Sequence, residues 1–120
     1  MTTAIILFAH GSRDPLWHKP IEAVAQAVAR QAPDCPVRCA YLELSQPSLT
    51  EAAADLVAQG VSRLRVFPLF LGMGKHARED LPELMEALRA AHPQVVFELL
   101  PTAGESPRLA ALLADLALGG

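Results

Sequence analysis

The chain alternates short apolar runs with stretches of helical periodicity, four times over, and few folds accept that pattern. Ala4-Ile5-Ile6-Leu7-Phe8-Ala9 is unbroken apolar sequence, as expected of a strand buried on both faces. Gly11, Ser12 and Asp14-Pro15 read as loop and helix-start residues, and Ile21, Val24, Ala25 and Val28 then recur at helical spacing up to Pro33. Pro20 belongs in the first turn of that helix, because an interior proline costs about 3 kcal/mol. Pro36 to Leu42 reads as a second strand that ends at Glu43. Ser48-Leu49-Thr50-Glu51 is a capping box, in which hydroxyl and carboxylate each satisfy an orphan amide, and Gly60 marks the end of the helix it opens. Val61 to Pro68 is the third strand. Asp80-Leu81-Pro82-Glu83 opens a third helix, with Asp80 as N-cap, which runs to about Ala91 before Pro93. Gln94 to Leu100 is the fourth strand, and Ser106-Pro107 starts a last helix rich in Ala and Leu.

Strands joined by helices in this order call for right-handed crossovers. The expected class is α/β: a four-stranded parallel sheet with helices on both faces. At 120 residues the chain makes one domain, residues 1–120, able to bury a core without a disulfide or metal staple. Its net charge of −3 and 5% aromatic content argue against nucleic acid as a partner, which needs a clustered basic face or stacking rings. Cys35 and Cys39, three residues apart in between, match neither a redox pair nor a zinc knuckle and read as ordinary thiols of a reducing compartment. The N-terminus lacks a basic leader, and the apolar stretch from Val66 to Gly74 is too short to span a bilayer and contains Pro68. A cytoplasmic protein without membrane contact is the expectation.

In open α/β sheets ligands sit beyond the carboxyl ends of the strands. Those ends carry His10-Gly11-Ser12-Arg13, Glu43-Leu44-Ser45, Phe70 to His76, and Thr102-Ala103-Gly104. Two of the four histidines and one carboxylate thus fall on one edge. An imidazole there serves as base, nucleophile or metal ligand, since it changes charge near neutrality; either histidine could equally be a plain loop residue, and Glu43 a solvated strand end. His92 suits the negative end of a helix, and His18 lies near the first helix start. Arg13, Lys75 and Arg78 flank the two favoured histidines and could receive carboxylates or phosphates. Phosphohistidine chemistry fits poorly: Ala9 stands where the histidine-phosphatase pattern has arginine, and no glycine-rich phosphate cradle follows. Metal handling fits better, because two imidazoles and a carboxylate hold a borderline divalent ion with positions left open.

These segments together resemble the class II tetrapyrrole chelatases of the short CbiX type, the sirohydrochlorin cobaltochelatases: His10-Gly11-Ser12-Arg13-Asp14, Leu42-Glu43 with Gln46-Pro47-Ser48-Leu49, Pro68-Leu69-Phe70-Leu71, and Gly74-Lys75-His76 with Asp80-Leu81-Pro82. The likeness covers about residues 4 to 100. It implies insertion of a divalent metal, Co²⁺ foremost and Fe²⁺ or Ni²⁺ as alternatives, into sirohydrochlorin with loss of two protons and no organic cofactor. By position, the active-site histidines fall on His10 and His76 and the crevice carboxylate on Glu43, as metal ligands and proton acceptors. Arg13, Lys75 and Arg78 would meet the substrate's carboxylates, with Phe70 and Leu71 as an apolar wall. Longer family members hold two such halves, so a homodimer is implied. The rival expectation is a non-catalytic carrier of metal or tetrapyrrole on the same fold.

Overall fold

The computed structural model describes residues 2–120. Strand β1 (Thr3–Ala9) is followed by a 3-10 turn (Pro15–His18) and helix α1 (Lys19–Gln31), then β2 (Val37–Tyr41), α2 (Leu49–Ala58) and β3 (Arg63–Pro68). Helix α3 (Lys75–Ala91), β4 (Val96–Leu99), a short turn (Ala103–Glu105) and α4 (Pro107–Ala117) complete the chain. The strands lie in the order β2-β1-β3-β4 and every pair is parallel. From β1 the chain turns one way, to β2; from β3 it turns the other, to β4. The reversal opens a crevice between the carboxyl ends of β1 and β3, the position at which such sheets bind ligands.

The period of two along each strand divides the side chains between faces. Ala4, Ile6 and Phe8 of β1, with Leu64 and Val66 of β3 and Phe97 of β4, face a buried layer built from Leu49, Ala52, Ala53 and Leu56 of α2 and Ala77, Leu81, Met85 and Leu88 of α3. On the opposite face Leu7, Ala9 and Tyr41 are buried, where α1 packs on β1 and β2. Over β3 and β4 that face presents Arg63, Arg65, Val96 and Glu98, with Glu98 paired to both arginines. Helices on both faces are thus present. Helix α4 has no buried residue, and its principal contacts are with the turn that precedes it.

The capping box at α2 is formed: the Glu51 amide donates to Ser48 Oγ at 3.1 Å and the Ser48 amide to Glu51 Oε1 at 2.9 Å. Ser48→Ala should therefore cost about 1 kcal/mol in urea denaturation at unchanged slope. Pro20 sits in the first turn of α1, as expected. The third helix corrects the sequence expectation. It begins at Lys75 with Gly74 as N-cap, runs through Pro82, and places Asp80 in its second turn rather than at its cap. Pro82 offers no amide to the Arg78 carbonyl, but the residue is exposed and water can satisfy that oxygen. Burial of Ala77 and Leu81 in the core offsets the loss and carries the helix upstream of its proline.

Candidate active site

His10 immediately follows β1, and its position is fixed by backbone bonds just beyond the sheet. The Leu42 amide donates to the Ala9 carbonyl at 2.9 Å and the Glu43 amide to the His10 carbonyl at 3.0 Å. These two bonds tie together the segments that leave β1 and β2, and His10 and Glu43 become neighbours just past the strand ends. Gly11 makes this possible. Its φ is +104°, and a Cβ there would overlap the Glu43 carbonyl oxygen, so only glycine lets the two backbones approach. The next turn is also unusual, since Leu44 holds a left-handed φ of 62°. Ser45 then ties the loops together: its hydroxyl donates to the Ser12 carbonyl at 2.7 Å, accepts from the Ser12 amide at 3.0 Å and lies 2.9 Å from His18 Nε2.

The third side chain arrives from the other side of the crevice. His76 occupies the first turn of α3, not a loop. His10, Leu42, Glu43, Gly74, Lys75, His76, Ala77 and Asp80 line one cleft of about 480 Å³, a volume suited to a small organic molecule or part of a larger one. His10, Glu43 and His76 are all exposed within it. The His10 ring rests on Phe70, with centroids 4.3 Å apart and planes inclined by 41°. Phe70 is only 3% exposed, so it backs the imidazole instead of offering its own face, which corrects its expected place on an apolar wall. Among the described residues, no three His, Cys, Asp or Glu side chains are grouped closely enough to hold a metal ion. The two imidazoles and the carboxylate are walls of an open cleft, not a closed cage.

The other expected binding residues divide. Lys75 lines the cleft. Leu71, 72% exposed, lines an adjoining hollow of about 350 Å³ with Arg78. Gly104 closes against this segment: its amide donates to the Phe70 carbonyl at 2.9 Å, and a Cβ there would run into the Leu71 carbonyl. Arg13 is exposed on the loop after His10 and lines none of these hollows. His18 stacks on Tyr41 with ring centroids 4.8 Å apart, away from the cleft. Burial, then the nearby Glu22 carboxylate, pushes the Cys39 thiol up, which suits an unreactive thiol. Burial likewise raises Tyr41 to about 12.

Asp80 is the residue that sequence reasoning assigned elsewhere. It lies four residues after His76, hence on the same helix face, and brings a second carboxylate to the cleft. The signal was present: Ala77 and Leu81 extend backwards the spacing of Met85 and Leu88, which places the helix start upstream of Asp80.

The CbiX family model matches residues 4–118. The chain belongs to the CbiX family. It is similar to the sirohydrochlorin cobaltochelatase of Methanothermobacter thermautotrophicus, with 37% identity over 81 residues covering 68% of this chain and 56% of that one. With the sirohydrochlorin cobaltochelatase of Methanococcoides burtonii it shares 33% identity over 82 residues, 68% of this chain and 63% of that one. The chain thus spans about three fifths of the length of these curated relatives. Among solved structures, a cobalamin (vitamin B12) biosynthesis CbiX protein from Marinobacter aquaeolei superposes with a TM-score of 0.85 and 36% identity, over 98% of this chain and 95% of that one. SirB from Bacillus subtilis, solved with Fe³⁺, gives a TM-score of 0.79 at 25% identity, over 96% of this chain but 46% of its own.

Proposed function

We propose that this CbiX protein inserts a divalent metal into sirohydrochlorin, cobalt foremost with Fe²⁺ or Ni²⁺ as alternatives, and releases two protons. The observation that carries the reading is the single cleft at the β1/β3 crevice lined by His10, Glu43 and His76. Relatives named sirohydrochlorin cobaltochelatase in several archaea support it. Insertion exchanges two pyrrole N–H protons for one ion, so the site must hold the metal briefly and accept protons. Neutral imidazole has one free lone pair, which holds either an ion or a proton. His10 and His76 ligate the incoming ion through it. As the ion passes to the pyrrole nitrogens, the freed imidazole nitrogens take the two protons those pyrroles give up, with Glu43 and Asp80 supplying negative charge beside the resulting imidazolium ions. The substrate completes the coordination sphere. An open set of donors favours release to the macrocycle, whereas a carrier gains from a closed one. The ion itself is set by supply and geometry more than by donor type.

Lys75 faces the peripheral carboxylates of the substrate from the cleft rim. Arg78 and Leu71 reach them from the adjoining hollow, and Arg13 from the exposed loop. Lys75→Ala should raise KM for sirohydrochlorin roughly 3- to 5-fold with little change in kcat, the effect of one exposed ion pair. The protein acts as a homodimer in a cytoplasmic setting. The deciding experiment is steady-state insertion into sirohydrochlorin with Co²⁺, Fe²⁺ and Ni²⁺ in parallel. Multiple turnovers above the spontaneous rate establish the enzyme; tight stoichiometric binding without turnover establishes the carrier.

A further inference from the structure

Ser45 stands two residues after Glu43, and Ser12 two residues after His10. The Glu43 amide joins these segments by its bond to the His10 carbonyl; one step further on, a side chain makes the link. Ser45 Oγ lies 2.7 Å from the Ser12 carbonyl oxygen, 3.0 Å from the Ser12 amide nitrogen and 2.9 Å from His18 Nε2. A hydroxyl has one proton to give and two lone pairs to fill. Two oxygens 2.7 Å apart need a proton between them, and the carbonyl has none, so the hydroxyl proton is committed to Ser12. The Ser12 amide fills one lone pair. The contact with His18 is then sound only if Nε2 carries a hydrogen and donates it. In the neutral ring this leaves Nδ1 as the acceptor.

The rest of the loop delivers His18 to this place. The Asp14 amide donates to Ser12 Oγ at 3.1 Å, the Leu16 amide to Asp14 Oδ1 at 2.9 Å and the Trp17 amide to the Asp14 carbonyl at 3.0 Å. These short-range bonds fold the chain after His10 into the 3-10 turn whose last residue is His18. Stacking on the buried Tyr41 of β2, with ring planes 30° apart, sets the plane of the imidazole. The other segment has strain to restrain. Leu44, between Glu43 and Ser45, holds its left-handed φ of 62°, a conformation that persists only where the surroundings over-determine it. Leu44 is 55% exposed, so packing of its own side chain supplies little of that restraint. The Glu43 amide bond holds the residue before it, and the Ser45 hydroxyl holds the residue after it.

We propose that Ser45, held by the Nε2–H of His18, is a positioning residue for metal insertion: it pins the strained Leu44 turn to the loop after His10 and so keeps Glu43 and His10 in register on one wall of the cleft. Neither Ser45 nor His18 lines that cleft. The inference rests on the proposed insertion reaction and gives His18 a task separate from those of His10 and His76. Partners that orient metal ligands from behind typically change activity by about 10- to 100-fold when removed.

Steady-state insertion of Co²⁺ into sirohydrochlorin and amide hydrogen exchange of the full chain test it together. Ser45→Ala should lower kcat about 10- to 100-fold with KM for sirohydrochlorin within about 2-fold of wild type. It should also speed exchange of the Glu43 amide, which Ser45 does not itself bond, by about 10-fold or more. His18→Phe keeps a ring on Tyr41 but removes the donor, and should do the same. His18→Gln loses the ring but presents an N–H where Nε2 stood, and should keep kcat within about 3-fold of wild type. In S45A/H18F the loss should be no greater than in S45A alone, because His18 acts only through the hydroxyl. Near-wild-type kcat in S45A overturns the proposal, as does additive loss in the double variant. An active H18F beside an impaired H18Q would reduce His18 to stacking and equally overturn it. If the wild type turns over no metal, the reading of the cleft fails; exchange then judges the tie by itself, and an unchanged Glu43 amide in S45A overturns that as well.

Discussion

His10→Ala and His76→Ala should each lower kcat for cobalt insertion into sirohydrochlorin by about 100-fold or more, the usual scale for removing a positioned proton acceptor. Both side chains are exposed, so neither change should alter stability by more than about 0.5 kcal/mol. That separation makes the result informative, because lost turnover in a fully folded variant points to chemistry at the cleft. The double variant should lose little more than either single one if the two imidazoles act on the same ion, since groups that work as a unit are strongly non-additive. Near-wild-type turnover in both single variants would remove the mechanism and leave only the fold assignment.

Gly11→Ala should produce a large loss of stability. A left-handed φ costs a residue with a Cβ about 1–2 kcal/mol. Contact with the Glu43 carbonyl oxygen adds strain of about 1–3 kcal/mol. A loss near 3 kcal/mol corresponds to a fall in Tm on the order of 10 °C, readable by calorimetry. The same change pushes apart the strand ends that carry His10 and Glu43, so turnover should fall as well. Gly72→Ala is the matched control: its Cβ would meet nothing within 4 Å, and it should stay within about 0.5 kcal/mol of the wild type. Equal stability of G11A and G72A would show that the close approach of the two backbones is dispensable.

The parts of this architecture that depend on local chemistry are readable in the sequence. The apolar run of β1, the Ser48–Glu51 box and the proline in the first turn of α1 each declare themselves within a few residues. The clustering of His10, Glu43 and His76 is also legible, because a parallel sheet places all strand exits on one edge. The start of α3 is not. Two glycines and Pro82 mark a loop and a helix start by propensity, whereas burial of Ala77 and Leu81 against the sheet decides the matter from a distance. Asp80 was misassigned for the same reason. The backing of His10 by Phe70 depends on how the segment after β3 folds across β1, which no spacing reveals. Nor does the Ala- and Leu-rich composition of the last helix show that it leaves its own sheet uncovered.

The amide of Glu43 bonded to the carbonyl of His10 gives the cleft one stiff jaw. His10 and Glu43 belong to two segments joined by backbone hydrogen bonds and move together. The opposing jaw is the opening turn of a helix whose Gly74 cap supplies no side-chain bond, the kind of terminus that yields most readily. On the proposed mechanism, fitting ions of different radius therefore falls to His76, and selectivity among them can be retuned by stiffening that helix start while the anvil opposite it stays unchanged.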